Sequence, residues 1–491
     1  MEMTADGVHC ASPGPPVLPR GVRVERSSAA SFVLSRDLPG TRPVYYRVDY
    51  GRLEWGDDLS SFLQKSARPS LDPGRLLTLV HGMAPAPDAT PVPGVHRLAV
   101  GTVARVDATG VTVTRRVPEL PKTRTGLVQA VGDALGTLGG EYAIAYSGGL
   151  SSAFAALSAR EAGHRPVLLH ADFGSALRRR PTPEIPGFPT RRVSVELSGL
   201  LDHHSITGDE MFPPLPDIEV PQRLTARLMD AAGLPVAHGG LLEDLTSIRL
   251  PEADAGSRGW RLLGCEPFHI TDTLRNLAEA RELISRGAVF APGLGGREIP
   301  DKQPVGMASP PKPLGASPMP GLTRAGEEAY SSSQLAMMAL WKDHLDFLPP
   351  VLGRVIAGLE ERGDGGALLP ALDPVVLAAV AALPPSKLGR ISRGTFTTHL
   401  PLHKALRKHR ISGASRSTPG QWIRLAAAAH LRRARAELIA RMEDDDCPLA
   451  DMGLVDPNKI MEILRDSHQL TEHALPLLRM VWLDQWLRGR S

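Results

Sequence analysis

Residues 142–158, YAIAYSGGLSSAFAALS, decide the fold, because an apolar run, a small-residue turn and a helix start follow one another without a break. Ala143 to Tyr146 could be buried strand or helix, but Ser147-Gly148-Gly149 stops a helix, so the run reads as a strand. After Leu150 the chain continues SSAFAALSAREAG, with Ser151 or Ser152 available as an N-cap, alanines for propagation and Gly163 as a stop. Such a turn is a ready anion site: glycine allows close backbone approach, and the first helical N–H groups point into it unpaired. Phosphate or pyrophosphate is the natural guest, although the same spacing also serves a tight βα turn with no ligand. No Gly-Lys-Ser/Thr follows, so this is not a Walker loop.

Downstream, apolar runs alternate with helical patterns. RPVLLHADF reads as a second strand, RRVSVEL as a third and WRLLGCEPF as a fourth, with helix-like QRLTARLMDAAG and GLLEDLTSIRL between the last two. Strand–helix alternation gives right-handed βαβ units and a parallel sheet whose ligands sit at the carboxyl ends of the strands. The loops at Ser147, Asp172 and Cys265 would then line one crevice. From Asp272 the pattern is mostly helical, interrupted by a Gly- and Pro-rich loop at 291–321. Its Lys302 and Lys312 could reach an active site or sit in solvated linker.

Upstream, residues 1–20 read as a flexible tail and residues 21–118 as a small β-rich domain. Asp49-Tyr50-Gly51 and Thr109-Gly110 mark hairpin turns, and Asp72-Pro73 marks a helix start. VPELPKTR, at 117–124, closes this domain, and residues 125–491 form the second.

The 491 residues suffice for two or three cores, and 56 basic against 53 acidic residues leave no global field favouring nucleic acid or a membrane surface. Cys10, Cys265 and Cys447 have no CxxC spacing and make no metal set with the scattered histidines. A cytoplasmic, disulfide-free protein is expected, since no run approaches membrane-spanning length and the first residues lack signal-peptide form.

The order of these pieces resembles the asparagine synthetase-like family, which includes asparagine synthetase B, β-lactam synthetase, carbapenam synthetase and the lasso-peptide macrolactam cyclases. SRDLPGTRPVYYRVDYGRLEWG is similar to the family's N-terminal signature, at Arg36, Asp37, Gly40, Pro43, Tyr45 and Tyr46. VHRLAVGTVARVDATGVTVTR resembles the segment closing that domain, AIAYSGGLSSAFAA the pyrophosphate loop, and LLPALDPVVLAAVAALPP a late helical motif. The resemblance implies an α/β protein with two parts. A degenerate, truncated glutaminase-like (Ntn-type) domain precedes an adenine-nucleotide α-hydrolase-like domain with a parallel sheet and a helical C-terminal part. It also implies a C–N ligase that uses ATP and Mg2+ to adenylate a carboxylate, admits an amine and releases AMP and pyrophosphate. Ser147, Gly148, Gly149, Ser151 and Ser152 would bind the nucleotide.

Departures narrow that expectation. Residue 2 is Glu where glutaminase members carry the nucleophilic Cys, and the first domain is shorter than a complete glutaminase domain. Both favour lactam or macrolactam formation, with the amine supplied by the substrate, over asparagine synthesis, leaving an ammonia-dependent asparagine synthetase as an alternative. The family pattern Ser-Gly-Gly-x-Asp-Ser becomes SGGLSS, with Ser151 at the metal-binding Asp. The second motif, Gly-Asp-Gly-Gly-Asp-Glu, is expected after the fourth strand, where LLGCEPFHI leaves Glu266; Glu266 and Asp172 are the candidate metal ligands. Arg416 falls nearest the late basic residue, with Lys404, Arg407 and Lys408 reading as a cationic helix face, and Glu327 and Tyr330 resemble an acid–base neighbourhood. The expected partners are a small-molecule or peptide carboxylate and, for a macrolactam former, a precursor peptide and a protease. Lost carboxylates also fit a scaffold that binds a nucleotide or a partner without catalysis.

Overall fold

The computed structural model describes residues 2–3, 8–10, 21–246 and 321–489, apart from short breaks at 29–30, 51, 64–70, 83–85, 175–184, 186, 208–212, 360–365, 389, 393–394, 398, 412–420 and 445. The fold is mixed α/β: largely antiparallel sheets come first, then a parallel sheet, then helices.

Both expected hairpins are present. Tyr45–Asp49 pairs with Arg52–Gly56, and Thr102–Asp107 pairs with Gly110–Arg115. The second hairpin belongs to a sheet ordered Val22–Ser28, Ser31–Arg36, Thr102–Asp107, Gly110–Arg115, all antiparallel. Alternate residues of the two sheets, among them Phe32, Leu34, Tyr46, Leu53, Trp55 and Val106, close a small core between them. Arg36 of the N-terminal signature is fully buried, and its guanidinium donates to the carbonyls of Leu38, Gly40, Arg42 and Leu98 at 2.9–3.4 Å. That one side chain ties the loop after its strand to the neighbouring sheet. Asp37 beside it pairs with Arg23 and Arg116.

Within the segment expected as a tail, five residues are described. Glu2–Met3 and Val8–Cys10 are short strands, and the second runs parallel to Leu53–Trp55. An open sheet edge accepts any extended backbone, so such pairing leaves little trace in side-chain pattern.

The parallel sheet is ordered Thr190–Ser194, Val167–Asp172, Ala143–Ala145, Val236–His238. Ala143, Ala145, Leu169, Ala171 and Val236 face one core; Ile144, Leu168 and Ala237 face the other. Apolar burial on both faces is what a sheet covered by crossover helices requires. Among the described residues its fourth strand is Val236–His238, from LPVAH. WRLLGCEPF, the expected fourth strand, lies outside the described residues. A further parallel bridge joins Ala237 to Leu368, and Leu368 leads into the late helical motif, where Asp373 caps Pro374–Ala381 by accepting from Val375 N at 2.8 Å.

The C-terminal helices lock the two parts together. Arg324–Phe347 crosses Pro73–Val80 so closely that a Cβ on Gly74 would lie 2.5 Å from the Ala329 carbonyl oxygen. Arg479, buried on Ala474–Arg488, forks onto Asp217 at 2.9 and 3.0 Å and also donates to the Val80 carbonyl. Breaking such a pair from one side leaves a buried charge and costs about 3 kcal/mol.

Candidate functional site

In the parallel sheet the chain steps from the first strand to the second and third on one side, then returns to place the fourth on the other. The order reverses between Ala143–Ala145 and Val236–His238, and crevices at such reversal points, beyond the carboxyl ends, are where open α/β sheets bind ligands. Two turns face each other there, Ser147–Gly149 and Gly239–Asp244.

The first turn is shaped by Gly148, whose φ of +78° belongs to the left-handed region that glycine alone enters freely. The chain enters helix Leu150–Glu161 directly after it, with Gly149 as the cap residue and no side-chain cap bond. Ser151 and Ser152 therefore sit inside the first turn and do not cap it, contrary to the sequence expectation: the cap is Gly149, two residues before Ser151. Ser147 Oγ accepts from Gly149 N at 3.2 Å and lies 3.3 Å from Ser152 Oγ. The helix behind the turn is buried from Ser152 to Ala159, which explains its alanines. Across it, a Cβ on Gly132 of Leu127–Gly136 would come within 2.7 Å of the Ser158 carbonyl oxygen.

The second turn supplies the group that sequence reading missed. Glu243 Oε1 accepts from both the Ser151 backbone N–H, at 3.3 Å, and Ser151 Oγ, at 2.9 Å. A carboxylate from beyond the fourth strand thus rests on the positive end of the helix after the first. Gly239 permits the approach, since a Cβ there would stand 2.7 Å from the Ser151 carbonyl oxygen. His238 Nδ1 accepts from Gly240 N at 2.9 Å, and burial holds this imidazole below its ordinary pKa. Behind the first strand, His170 Nδ1 donates to the Tyr146 carbonyl at 2.9 Å, and burial pushes the Tyr146 phenol up to about 12.

Asp172 ends the second strand at the same edge, but one of its oxygens is engaged by Gly174 N at 2.9 Å. Tyr330 and Glu327 lie on helix Arg324–Phe347. Tyr330 is buried and stacked on His81, ring centroids 3.9 Å apart, in the core shared with the C-terminal helices, whereas the glycine-turn helix belongs to the other core. Burial raises the Tyr330 phenol, and Glu327 is exposed in the first turn of its helix. Lys404, Arg407 and Lys408 are exposed on Leu400–Lys408, as a cationic face would be. Cys447 is buried, and desolvation with the Asp484 carboxylate beside it pushes its thiol up to about 12, which makes it no nucleophile. Glu266, Cys265, Arg416, Lys302 and Lys312 lie outside the described residues.

A signal for Glu243 was present in the sequence. Once LPVAH is the fourth strand, the six residues after it, GGLLED, put Gly239 at one end and Glu243-Asp244 at the other, a glycine-to-acid spacing. No helix among the described residues is long and apolar enough to cross a membrane. No protein-family model matches the chain, and no curated protein matches it.

Proposed function

We propose that this chain is an ATP-dependent amide-bond synthetase of the asparagine synthetase-like kind, forming a lactam or macrolactam and releasing AMP and pyrophosphate. The observation that supports it most is the junction of Ser151 and Glu243 at the reversal point of the parallel sheet. In this reading GGLLED occupies the place of the family's second carboxylate motif, with Glu243 and Asp244 at its final Asp-Glu. The carboxylate that Ser151 lacks is then supplied from across the crevice.

The residues suit the cofactor. Gly148 and Gly149 leave room for a phosphate, the Leu150 and Ser151 amides and the Ser151 hydroxyl are donors, and Glu243 offers the carboxylate oxygen that Mg2+ takes alongside phosphates. ATP, when bound, supplies the leaving group that turns a carboxylate into an electrophile. The chain's own work is to orient phosphates, to keep water out with the buried Tyr146 and Leu150 behind the turn, and to neutralise charge, the part assigned to Arg416. The full-length protein, incubated with ATP, Mg2+ and a panel of peptide and amino-acid carboxylates, should release AMP and pyrophosphate with at least one of them. Glu243→Gln should suppress that release while leaving the fold intact.

One observation favours a second reading, a scaffold that binds a nucleotide or a partner without catalysis. Glu243 sits on the helix N-terminus where a pyrophosphate would bind, so the anion site carries the chain's own anion. In that case ATP binding measured by calorimetry is indifferent to Mg2+, and no substrate yields AMP.

A further inference from the structure

Away from the glycine turn, three histidines and a glutamate meet where the segment after the third strand packs against the long helix Gln421–Glu443. His203 and His204 lie on a short 3-10 turn, His203–Ser205, and His430 and Glu437 come from the helix. His203 is 1% exposed. Its Nδ1 lies 3.3 Å from His430 Nε2, while its buried Nε2 has no hydrogen-bond partner among the described residues. The nearest acidic oxygen, Glu437 Oε1, is 3.5 Å from that nitrogen and 3.3 Å from His204 Nε2. Asp202, His203 and His204 further place one ligand atom each within 4.8 Å of one another.

These separations have a meaning for a cation. A tetrahedral ion held by nitrogen and oxygen at roughly 2.0–2.1 Å spaces its ligands about 3.3 Å apart. Glu437 Oε1 stands from the two imidazole nitrogens at nearly that separation, and 3.5 Å at His203 is long for a hydrogen bond. A buried ring nitrogen with only this long contact is poorly satisfied, and a cation held in the Asp202, His203 and His204 cluster would satisfy it.

We propose that Asp202, His203 and His204 bind a divalent transition metal, zinc by ligand type, with the Glu437 carboxylate or a water as fourth donor. His430 is a positioning residue: through His203 Nδ1 it fixes the tautomer and ring orientation of that ligand. The site ties the long C-terminal helix to the segment that follows the edge strand Thr190–Ser194, and it is independent of the amide-synthetase reading. No spacing in the chain announces it, because one half lies more than two hundred residues from the other.

The test uses the full chain, stripped with chelator and titrated with Zn2+ alone by calorimetry, and with Co2+ by visible absorption. One ion per chain should bind, with the absorption of tetrahedral cobalt. His204→Ala and Glu437→Gln alter side chains that are 58% and 43% exposed, so both variants should fold, as circular dichroism would verify. His204→Ala should weaken Zn2+ binding by at least ~100-fold and Glu437→Gln and His430→Ala by about 10-fold each, whereas the exposed His468→Ala should change nothing. Zn2+ should raise the melting temperature of the wild type by more than that of either variant. No stoichiometric uptake by the wild type, or uptake unchanged in both His204→Ala and Glu437→Gln, overturns the proposal.

Discussion

Glu243 and Glu437 each reach from a distant part of the chain to a segment that follows a strand of the parallel sheet, yet they meet opposite chemistry there. Glu243 meets donors, a helix N–H and a hydroxyl, and is satisfied by them. Glu437 stands beside two imidazole nitrogens, one of them buried without a hydrogen-bond partner among the described residues. The first arrangement presents donors and holds the chain's own anion; the second sets acceptors beside one another, which is what the proposed cation would need. A carboxylate's neighbours, more than the carboxylate itself, decide which kind of ligand a site takes.

The sharpest way to break this contrast is at Gly239. Gly239→Val would drive a side chain into the Ser151 backbone and separate the two turns. It should cost about 3 kcal/mol of stability by denaturant titration and abolish ATP binding, with Zn2+ uptake preserved. Equal loss of both ligands would mean that the two sites are not separate.

Acid gives the next largest effect. Burial lowers the pKa of His238 at the glycine turn, and holds His344, buried against the β-rich domain, at about 4. Both are neutral when folded, so between the unfolded value near 6.5 and the lowered folded values the unfolded chain binds more protons. Stability present above pH 6.5 should therefore fall as pH drops toward 4. His238→Asn, which keeps an acceptor for Gly240 N, should flatten part of that slope in melts at stepped pH.

Glu243→Gln should act more gently. Removing the charge from the helix end costs roughly 1 kcal/mol of stability. Calorimetry should then show pyrophosphate binding about 5-fold tighter without Mg2+, since 1.4 kcal/mol is tenfold, and weaker than wild type with Mg2+ present. Tighter binding under both conditions would leave Glu243 a plug and not a metal ligand. Smallest is Ser151→Asp, which sets a second carboxylate against the first. A loss of about 0.5–1 kcal/mol without Mg2+, recovered on adding it, is the expected sign of a shared metal position.

Legibility in the sequence followed the range of the interaction. The first three strands, both hairpins, the Asp72 helix start and the glycine turn were readable, since periodicity, turn residues and caps act over a few positions. Val236–His238 did not read as a strand because three residues are too few positions to show a pattern, and Glu243 after it went unread with it. Tyr330 looked chemical because it carries a phenol, and only its stack on His81 shows it packed in a core. The scattered histidines looked unrelated because the helix that brings His430 and Glu437 to His203 and His204 lies far along the chain.

By itself, then, the sequence determined where the backbone must turn, cap and bury: Gly148 at a positive φ, alanines along a buried helix, apolar residues on both faces of a parallel sheet. Tertiary structure decided which charges meet. It laid Glu243 on the Ser151 amide and Glu437 between two imidazoles, because backbone geometry is set by neighbours in the chain, whereas electrostatic partners are set by distance in space.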